Sequence, residues 1–196
     1  MDINTITGVL LAGGLGSRMG GQDKGLLALD GQVMATRILD RLRPQVGSLL
    51  INANRNLDLW QAYGLPVVSD EISGFSGPLA GMHAALNVCQ TPWLVTVPCD
   101  SPFFPRDLVS RLAGQIGTAD IAVVRSDGRL QPVFALLRRE LRPGLESYLT
   151  NGGRKAGAWL ASLALTAVDF DDNAAFANIN TPEELVSASF PSASIV

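Results

Sequence analysis

Short apolar runs alternate with longer amphipathic stretches along most of the chain. Ile6-Thr7-Gly8-Val9-Leu10-Leu11 is apolar without alternation, the pattern of a strand covered on both faces. Met34 to Leu42 carries apolar residues at helical spacing and stops before Pro44. Further strands are expected at Ser48–Asn52, Leu65–Val68, Trp93–Val97, Ala119–Val124, Pro132–Leu137 and Ala167–Phe170. Helices are expected at Leu79–Val88, with Pro78 at its first turn, and at Asp107–Leu112, Glu140–Leu149 and Ala156–Leu163. A last helix is expected at Pro182–Ala188, with Thr181 as its cap and Glu184 at the capping-box position. Strands alternating with helices predict a single α/β domain, a mostly parallel doubly wound sheet with helices on both faces. Its expected span is residues 1–190, with 191–196 expected as a flexible tail. Ligands of such sheets sit beyond the carboxyl ends of the strands, so chemistry is expected just after the apolar runs.

Composition narrows the classes. The chain has 196 residues, 47% of them hydrophobic and 17% charged, which is globular rather than disordered. The formal net charge is −3 and no basic run is present, which argues against nucleic-acid binding. Cys89 and Cys99 match no metal spacing and make no secreted framework, so both are expected to be reduced thiols in apolar surroundings. Met1-Asp2-Ile3-Asn4 lacks the basic start of a signal peptide, and no apolar run approaches the roughly 20 residues that span a membrane. The expectation is a cytoplasmic protein with no membrane partner.

The first strand runs into Ala12-Gly13-Gly14-Leu15-Gly16-Ser17-Arg18-Met19-Gly20-Gly21-Gln22-Asp23-Lys24. Glycines let the backbone turn tightly and bring N–H groups against an anion, and Arg18 and Lys24 add positive charge on the same stretch. A P-loop is excluded, because Lys24 is followed by Gly25 and no hydroxyl stands ready for a metal. A dinucleotide fingerprint fails as well. Gly14 and Gly16 are followed by Met19 where a third glycine is required, and the second strand ends in Asn52 instead of an acid. Asp100 follows the strand Trp93–Val97, where a hard oxygen suits a divalent cation held against a triphosphate; Ser101-Pro102 suits a turn aspartate equally. Asp70 follows another short strand and reads, by itself, as a solvated turn acid. Gly77-Pro78 opens a helix whose N-terminus suits an anion, although ordinary helix initiation explains it too. His83, the only histidine, lies inside that helix and away from any strand end, which favours a structural role.

Taken together, Leu11-Ala12-Gly13-Gly14, Arg18-Met19-Gly20-Gly21, Asp23-Lys24-Gly25-Leu26, Asn52-Ala53-Asn54-Arg55, Gly77-Pro78-Leu79-Ala80-Gly81-Met82, Cys99-Asp100-Ser101-Pro102 and Asn178-Ile179-Asn180-Thr181-Pro182-Glu183-Glu184-Leu185 resemble the molybdenum cofactor guanylyltransferases. They span nearly the whole chain in one order. The resemblance implies a nucleotide-diphospho-sugar transferase-like fold. It also implies transfer of GMP from GTP to the terminal phosphate of molybdenum-molybdopterin, with release of pyrophosphate. Leu11, Ala12 and Gly13 would contact GTP, and Lys24, with Arg18, would meet its phosphates. Asn52 and Asp70 would contact the nucleotide, Asp100 would hold Mg²⁺ beside it, and Asn178 and Asn180 would lie on the pterin side. Partners would be GTP, the pterin, and transiently the enzymes that make or receive the cofactor. Alternatives are a cytidylyltransferase acting on the same pterin, a sugar-nucleotide pyrophosphorylase and a non-catalytic nucleotide-binding module. The joint presence of Lys24 and Asp100 speaks against the last.

Overall fold

The computed structural model describes residues 1–14, 23–72, 77–179 and 184. Arg18, Asn180 and the tail 191–196 therefore lie outside the described residues. Of the helix expected at Pro182–Ala188 only Glu184 is described, and it is helical.

In chain order the strands are β1 (Ile6–Leu11), β2 (Ala28–Leu29), β3 (Gln32–Val33), β4 (Ser48–Asn52), β5 (Val67–Val68), β6 (Trp93–Pro98), β7 (Ile121–Ser126), β8 (Arg129–Arg138) and β9 (Leu165–Asp169). The helices are α1 (Met34–Leu42), α2 (Leu57–Gln61), α3 (Pro78–Val88), α4 (Leu108–Gln115), α5 (Arg142–Thr150) and α6 (Ala156–Leu160). Seven strands form one sheet in the order β5-β4-β1-β6-β8-β7-β9. The β5, β4, β1 and β6 strands run parallel to one another, as do β7 and β9; β8 is antiparallel to both β6 and β7. This is the mostly parallel sheet expected.

Each face of the sheet has its own apolar layer. Ile6 and Leu10 of β1 point into one layer with Ile38 and Leu42 of α1 and Leu108 and Leu112 of α4. Val9 and Leu11 point into the other, with Met82 and Leu86 of α3, Leu145 and Leu149 of α5, and Trp159 of α6. Burial on both faces is why β1 shows no polar alternation. Helix α1 buries Met34, Ala35, Ile38, Leu39 and Leu42, one stripe at helical spacing.

Two hairpins go beyond what the apolar runs predict. Asp127-Gly128 joins β7 to β8 with both residues at positive φ (51° and 67°), and Asp30-Gly31 joins β2 to β3 in the same way (52° and 75°). An Asp-Gly pair with φ > 0 at both positions is the signature of the two-residue turn that suits the strand twist. The β7–β8 pairing then slips. Val123 faces Ala135 whereas Val124 faces Gln131, leaving 132–134 as a bulge. Pro132 has no N–H for a ladder and is accommodated there. The strand expected at Leu65–Val68 is shortened to Val67–Val68, and α6 stops at Leu160, ahead of the expected Leu163. No helix among the described residues is long and apolar enough to cross a membrane.

Candidate active site

The carboxyl ends of β1, β4 and β6 lie side by side. Leu11 is in register with Asn52 on one flank and Pro98 on the other. The pairing continues one residue past the strands: Ala12 N–H donates to the Asn52 carbonyl (2.8 Å), Cys99 N–H to the Leu11 carbonyl (3.1 Å) and Ala53 N–H to the Val68 carbonyl (2.9 Å). Gly13, Asn54, Asp70 and Asp100 therefore emerge from neighbouring strands at one edge of the sheet.

Two of the charged residues expected to act on the nucleotide, Lys24 and Asp100, meet there. Lys24 Nζ donates to Asp100 Oδ2 at 3.1 Å, with side chains only 16% and 17% exposed. Lys24 opens a 3-10 turn, Lys24–Leu26, whose glycine is pressed between two neighbours. A Cβ on Gly25 would lie 2.7 Å from Trp60 Cη2 and 3.0 Å from Cys99 Cβ. Cys99 and Cys89 are free thiols, as expected. Burial, reinforced by the negative charge of Asp100, pushes the Cys99 thiol up to about 12, so it stays protonated beside the site.

Asp70 is held from two directions. Asn52 donates one amide hydrogen to Asp70 Oδ1 (2.9 Å) and the other to the Val68 carbonyl (3.3 Å). Asn54 donates to Asp70 Oδ2 (2.9 Å) and to the Gly13 carbonyl (3.1 Å), and its Oδ1 accepts from the Asp70 N–H (2.8 Å). Asn52 is only 2% exposed and both its amide hydrogens are donated within the protein, which places it behind Asp70. Two glycines make room for these amides. A Cβ on Gly13 would approach Asn54 Nδ2 and Asn52 Oδ1 to 2.8 and 2.9 Å, and a Cβ on Gly81 of α3 would collide with Asn52 Oδ1. Asn54 and Gly81 carried no assigned role in the sequence. The signal for Asn54 was its place two residues after Asn52, on the same side of an extended chain.

The late motif also docks here. Ser101 Oγ bonds Asn178 Oδ1 at 2.6 Å, and Ile179 N–H donates to the Asp100 carbonyl at 2.7 Å. Asn178 is thus tied to the loop that carries Asp100. His83 stands apart: it is buried in α3, and neither ring nitrogen has a hydrogen-bond partner among the described residues.

The donor set suits a particular class of metal. Among the described residues no three His, Cys, Asp or Glu side chains gather into a metal cluster. One carboxylate at a strand end is what Mg²⁺ uses when substrate phosphates and water complete its octahedron.

Comparison with known proteins places this geometry in a family. The MobA-like NTP transferase domain matches residues 8–167. The chain is 56% identical over 187 residues to the molybdenum cofactor guanylyltransferase of Cupriavidus necator, covering 92% of this chain and 94% of that one. It is 51% identical over 191 residues to the same-named protein of Bordetella petrii, covering 94% and 97%. Among solved structures, molybdopterin-guanine dinucleotide biosynthesis protein A of Archaeoglobus fulgidus superposes with a TM-score of 0.78 at 25% identity, over 93% of this chain and 96% of that one. A 4-diphosphocytidyl-2C-methyl-D-erythritol synthase from Anaerococcus prevotii shares the fold at a TM-score of 0.74 and 11% identity, over 95% of each chain. With its relatives matching nearly end to end, the chain belongs to the MobA-like NTP transferase family, among the molybdenum cofactor guanylyltransferases.

Proposed function

We propose that this chain transfers GMP from GTP to the terminal phosphate of molybdenum-molybdopterin, releasing pyrophosphate, and that the Lys24–Asp100 pair marks the reacting phosphates. The observation that carries the reading is this pair, held 3.1 Å apart and mostly shielded from water where β1 and β6 end. In the reaction an oxygen of the pterin phosphate forms a bond to the α-phosphorus of GTP. The bond from that phosphorus to the bridging oxygen breaks, and the electron pair leaves with pyrophosphate. The attacking phosphate is ionised at neutral pH, so no side chain has to take a proton from it. What remains is positioning and neutralisation of charge.

Each residue has a part in that work. Leu11, Ala12 and Gly13 contact the nucleotide through backbone, where the chain leaves the sheet beyond the Ala12 N–H bond to the Asn52 carbonyl. Lys24, with Arg18 from the glycine-rich stretch, supplies positive charge to the phosphates. Asp100 is the residue that would hold Mg²⁺, which when bound would draw charge from the triphosphate oxygens. Lys24 and Asp100 hold each other in place until the substrate's own charges replace their contact. Asp70 faces the nucleotide and Asn52 orients it. Asn178, with Asn180 beyond it in sequence, lies on the side of the pterin. The setting for this chemistry is the cytoplasm, with GTP and the pterin as partners and transient contact with the enzymes that supply or receive the cofactor.

The test is turnover with GTP, CTP, ATP and UTP, using molybdopterin as acceptor. A site built for one base leaves buried polar groups unpaired with another, at about 1–3 kcal/mol each, so GTP should lead in kcat/KM by at least about tenfold. Equal or better use of CTP would replace the guanylyl reading with a cytidylyl one.

A further inference from the structure

Lys24 leaves an unusual anchor. The residue before it, Asp23, is only 7% exposed although it is an acid. Its carboxylate is held from across the site by the segment that follows β4. Asn56 Nδ2 donates to Asp23 Oδ2 at 2.7 Å, and Arg55 Nη2 donates to Asp23 Oδ1 at 3.3 Å. The same Arg55 nitrogen donates to the Gly14 carbonyl at 3.2 Å, so one guanidinium ties the chain at Gly14 to the chain at Asp23. Asn56 holds a left-handed conformation (φ 48°, ψ 39°), which turns the chain into α2. From α2, Trp60 then packs against Gly25. Asp23 also starts the 3-10 turn of Lys24: Leu26 N–H donates to the Asp23 carbonyl at 3.0 Å.

An acid is hidden from water at a cost unless hydrogen-bond donors and an opposite charge meet it, and here the Asn56 amide and the Arg55 guanidinium do. Such an arrangement fixes the direction in which the next side chain leaves the backbone. We propose that Asp23, gripped by Arg55 and Asn56, is a positioning residue that sets where Lys24 presents its ammonium, and thereby the affinity for the nucleoside triphosphate. Asp23 acts on the phosphates through Lys24, and Arg55 acts on Lys24 through Asp23. The proposal rests on the phosphate role of Lys24 proposed above.

A thermodynamic cycle tests it on the full chain. The affinity for GTP with Mg²⁺ is measured by titration calorimetry, and KM and kcat with the pterin acceptor, for Asp23→Ala, Lys24→Ala and the double variant. Thermal midpoints show that each is folded. Hydrogen bonds to a charged group are worth about tenfold or more in an equilibrium, so Asp23→Ala should weaken GTP binding and raise KM by about tenfold, with a smaller change in kcat. In the Lys24→Ala background the same change should have little further effect, because residues that act as a unit are not additive. Should Asp23→Ala fail to fold, Asn56→Gly is the gentler probe. Glycine keeps the left-handed backbone and deletes only the amide that grips Asp23. Arg55→Lys should retain most of the affinity that Arg55→Ala loses. Full additivity of Asp23→Ala or Asn56→Gly with Lys24→Ala overturns the positioning role, as does unchanged GTP affinity in these variants when Lys24→Ala itself is impaired. If Lys24→Ala alone binds GTP normally, the phosphate role of Lys24 falls instead, and the proposal with it.

Discussion

On the two sides of β6 the strand ends are used in different ways. Across β5, β4, β1 and β6 the strands run parallel, and the residues just beyond them bond from loop to loop. Asn52 and Asn54 grip Asp70, Lys24 meets Asp100, and Arg55 and Asn56 hold Asp23. Across β8, β7 and β9 the sheet reverses at the Asp127-Gly128 turn. The ends there carry the exposed Arg125–Asp169 pair and a small knot in which Ser126 Oγ and the Asp127 N–H meet Asn173 Oδ1, each at 2.8 Å. Beneath them Phe134 and Phe176 pack edge to face with centroids 5.1 Å apart, and Phe170 packs on Phe176 at the same distance. The contrast follows from connectivity. Parallel neighbours need long crossovers, and between β1, β4, β5 and β6 those crossovers deliver unrelated side chains to one edge; the two-residue hairpin between β7 and β8 has no room to carry any. One half assembles most of the site; the other stabilises the sheet beside it and sends the chain beyond β9 back to the Asp100 loop at Asn178 and Ile179.

The sharpest way to break that contrast is Asp100→Asn. An amide is a poorer ligand for Mg²⁺ than a carboxylate, and loss of such an electrostatic contact should cost on the order of a hundredfold or more in kcat, with the fold intact. Near-parental turnover at limiting Mg²⁺ by a folded variant would remove Asp100 from the metal. Lys24→Ala comes next. Loss of a hydrogen bond to charged phosphate is worth about 1.5–3 kcal/mol, so kcat/KM for GTP should fall by about ten- to a hundredfold. Unchanged kinetics would leave Lys24 as a structural partner of Asp100 without a part in the reaction.

A smaller effect compares one substitution in both halves. Alanine is favoured over glycine inside a helix by about 1 kcal/mol. Gly114 of α4, on the β7–β8–β9 side, has nothing within 4 Å of an added Cβ, so Gly114→Ala should raise the thermal midpoint and leave kinetics alone. Gly81 of α3 faces Asn52, and Gly81→Ala should push that amide off Asp70 and raise KM for GTP despite the better helix former. Equal, stabilising behaviour at both sites would show that the amide bracket behind Asp70 has slack.

How much of this was legible in the chain depends on distance along it. The strands that position the site are apolar runs, and runs are local, so β1, β4 and β6 were readable almost to the residue. Lys24 and Asp100 were readable because each follows such a run or the stretch after it. The reversal at β8 was readable too, in Asp127-Gly128, but only to an eye set on turns instead of apolar periods. Asp23 was not. Its burial depends on Arg55 and Asn56, more than thirty positions away, and nothing near it in sequence distinguishes it from a solvated acid. Asn52 shows the same limit. The resemblance implies a nucleotide contact for Asn52 as for Asp70, whereas its bond to Asp70 and the spending of both its amide hydrogens inside the protein are properties of packing. Arg18 and Asn180 fall outside the described residues, so their roles stand on the family motifs.

The smallest effect belongs to the far edge. Arg125 and Asp169 pair through two bonds, with Arg125 Nε donating to Asp169 Oδ1 at 2.6 Å, yet their side chains are 43% and 63% exposed. Their hydrogen bond holds the Arg125 guanidinium above its ordinary value and the Asp169 carboxyl below its own. A carboxyl whose folded value is depressed adds stability above its unfolded value and loses it as pH falls through the folded one. Water and salt screen a pair this open, so the contribution should be near the limit of detection. Arg125→Ala should therefore keep the parental thermal midpoint at neutral pH and about 0.15 M ionic strength. Any deficit should surface only at low salt and fade as Asp169 is protonated in acid. Activity toward GTP and the pterin should not move. A clear fall in kcat/KM for the pterin, with GTP affinity unchanged, would mean that this edge receives the acceptor, and the division between a site half and a stabilising half would have to be redrawn at β9.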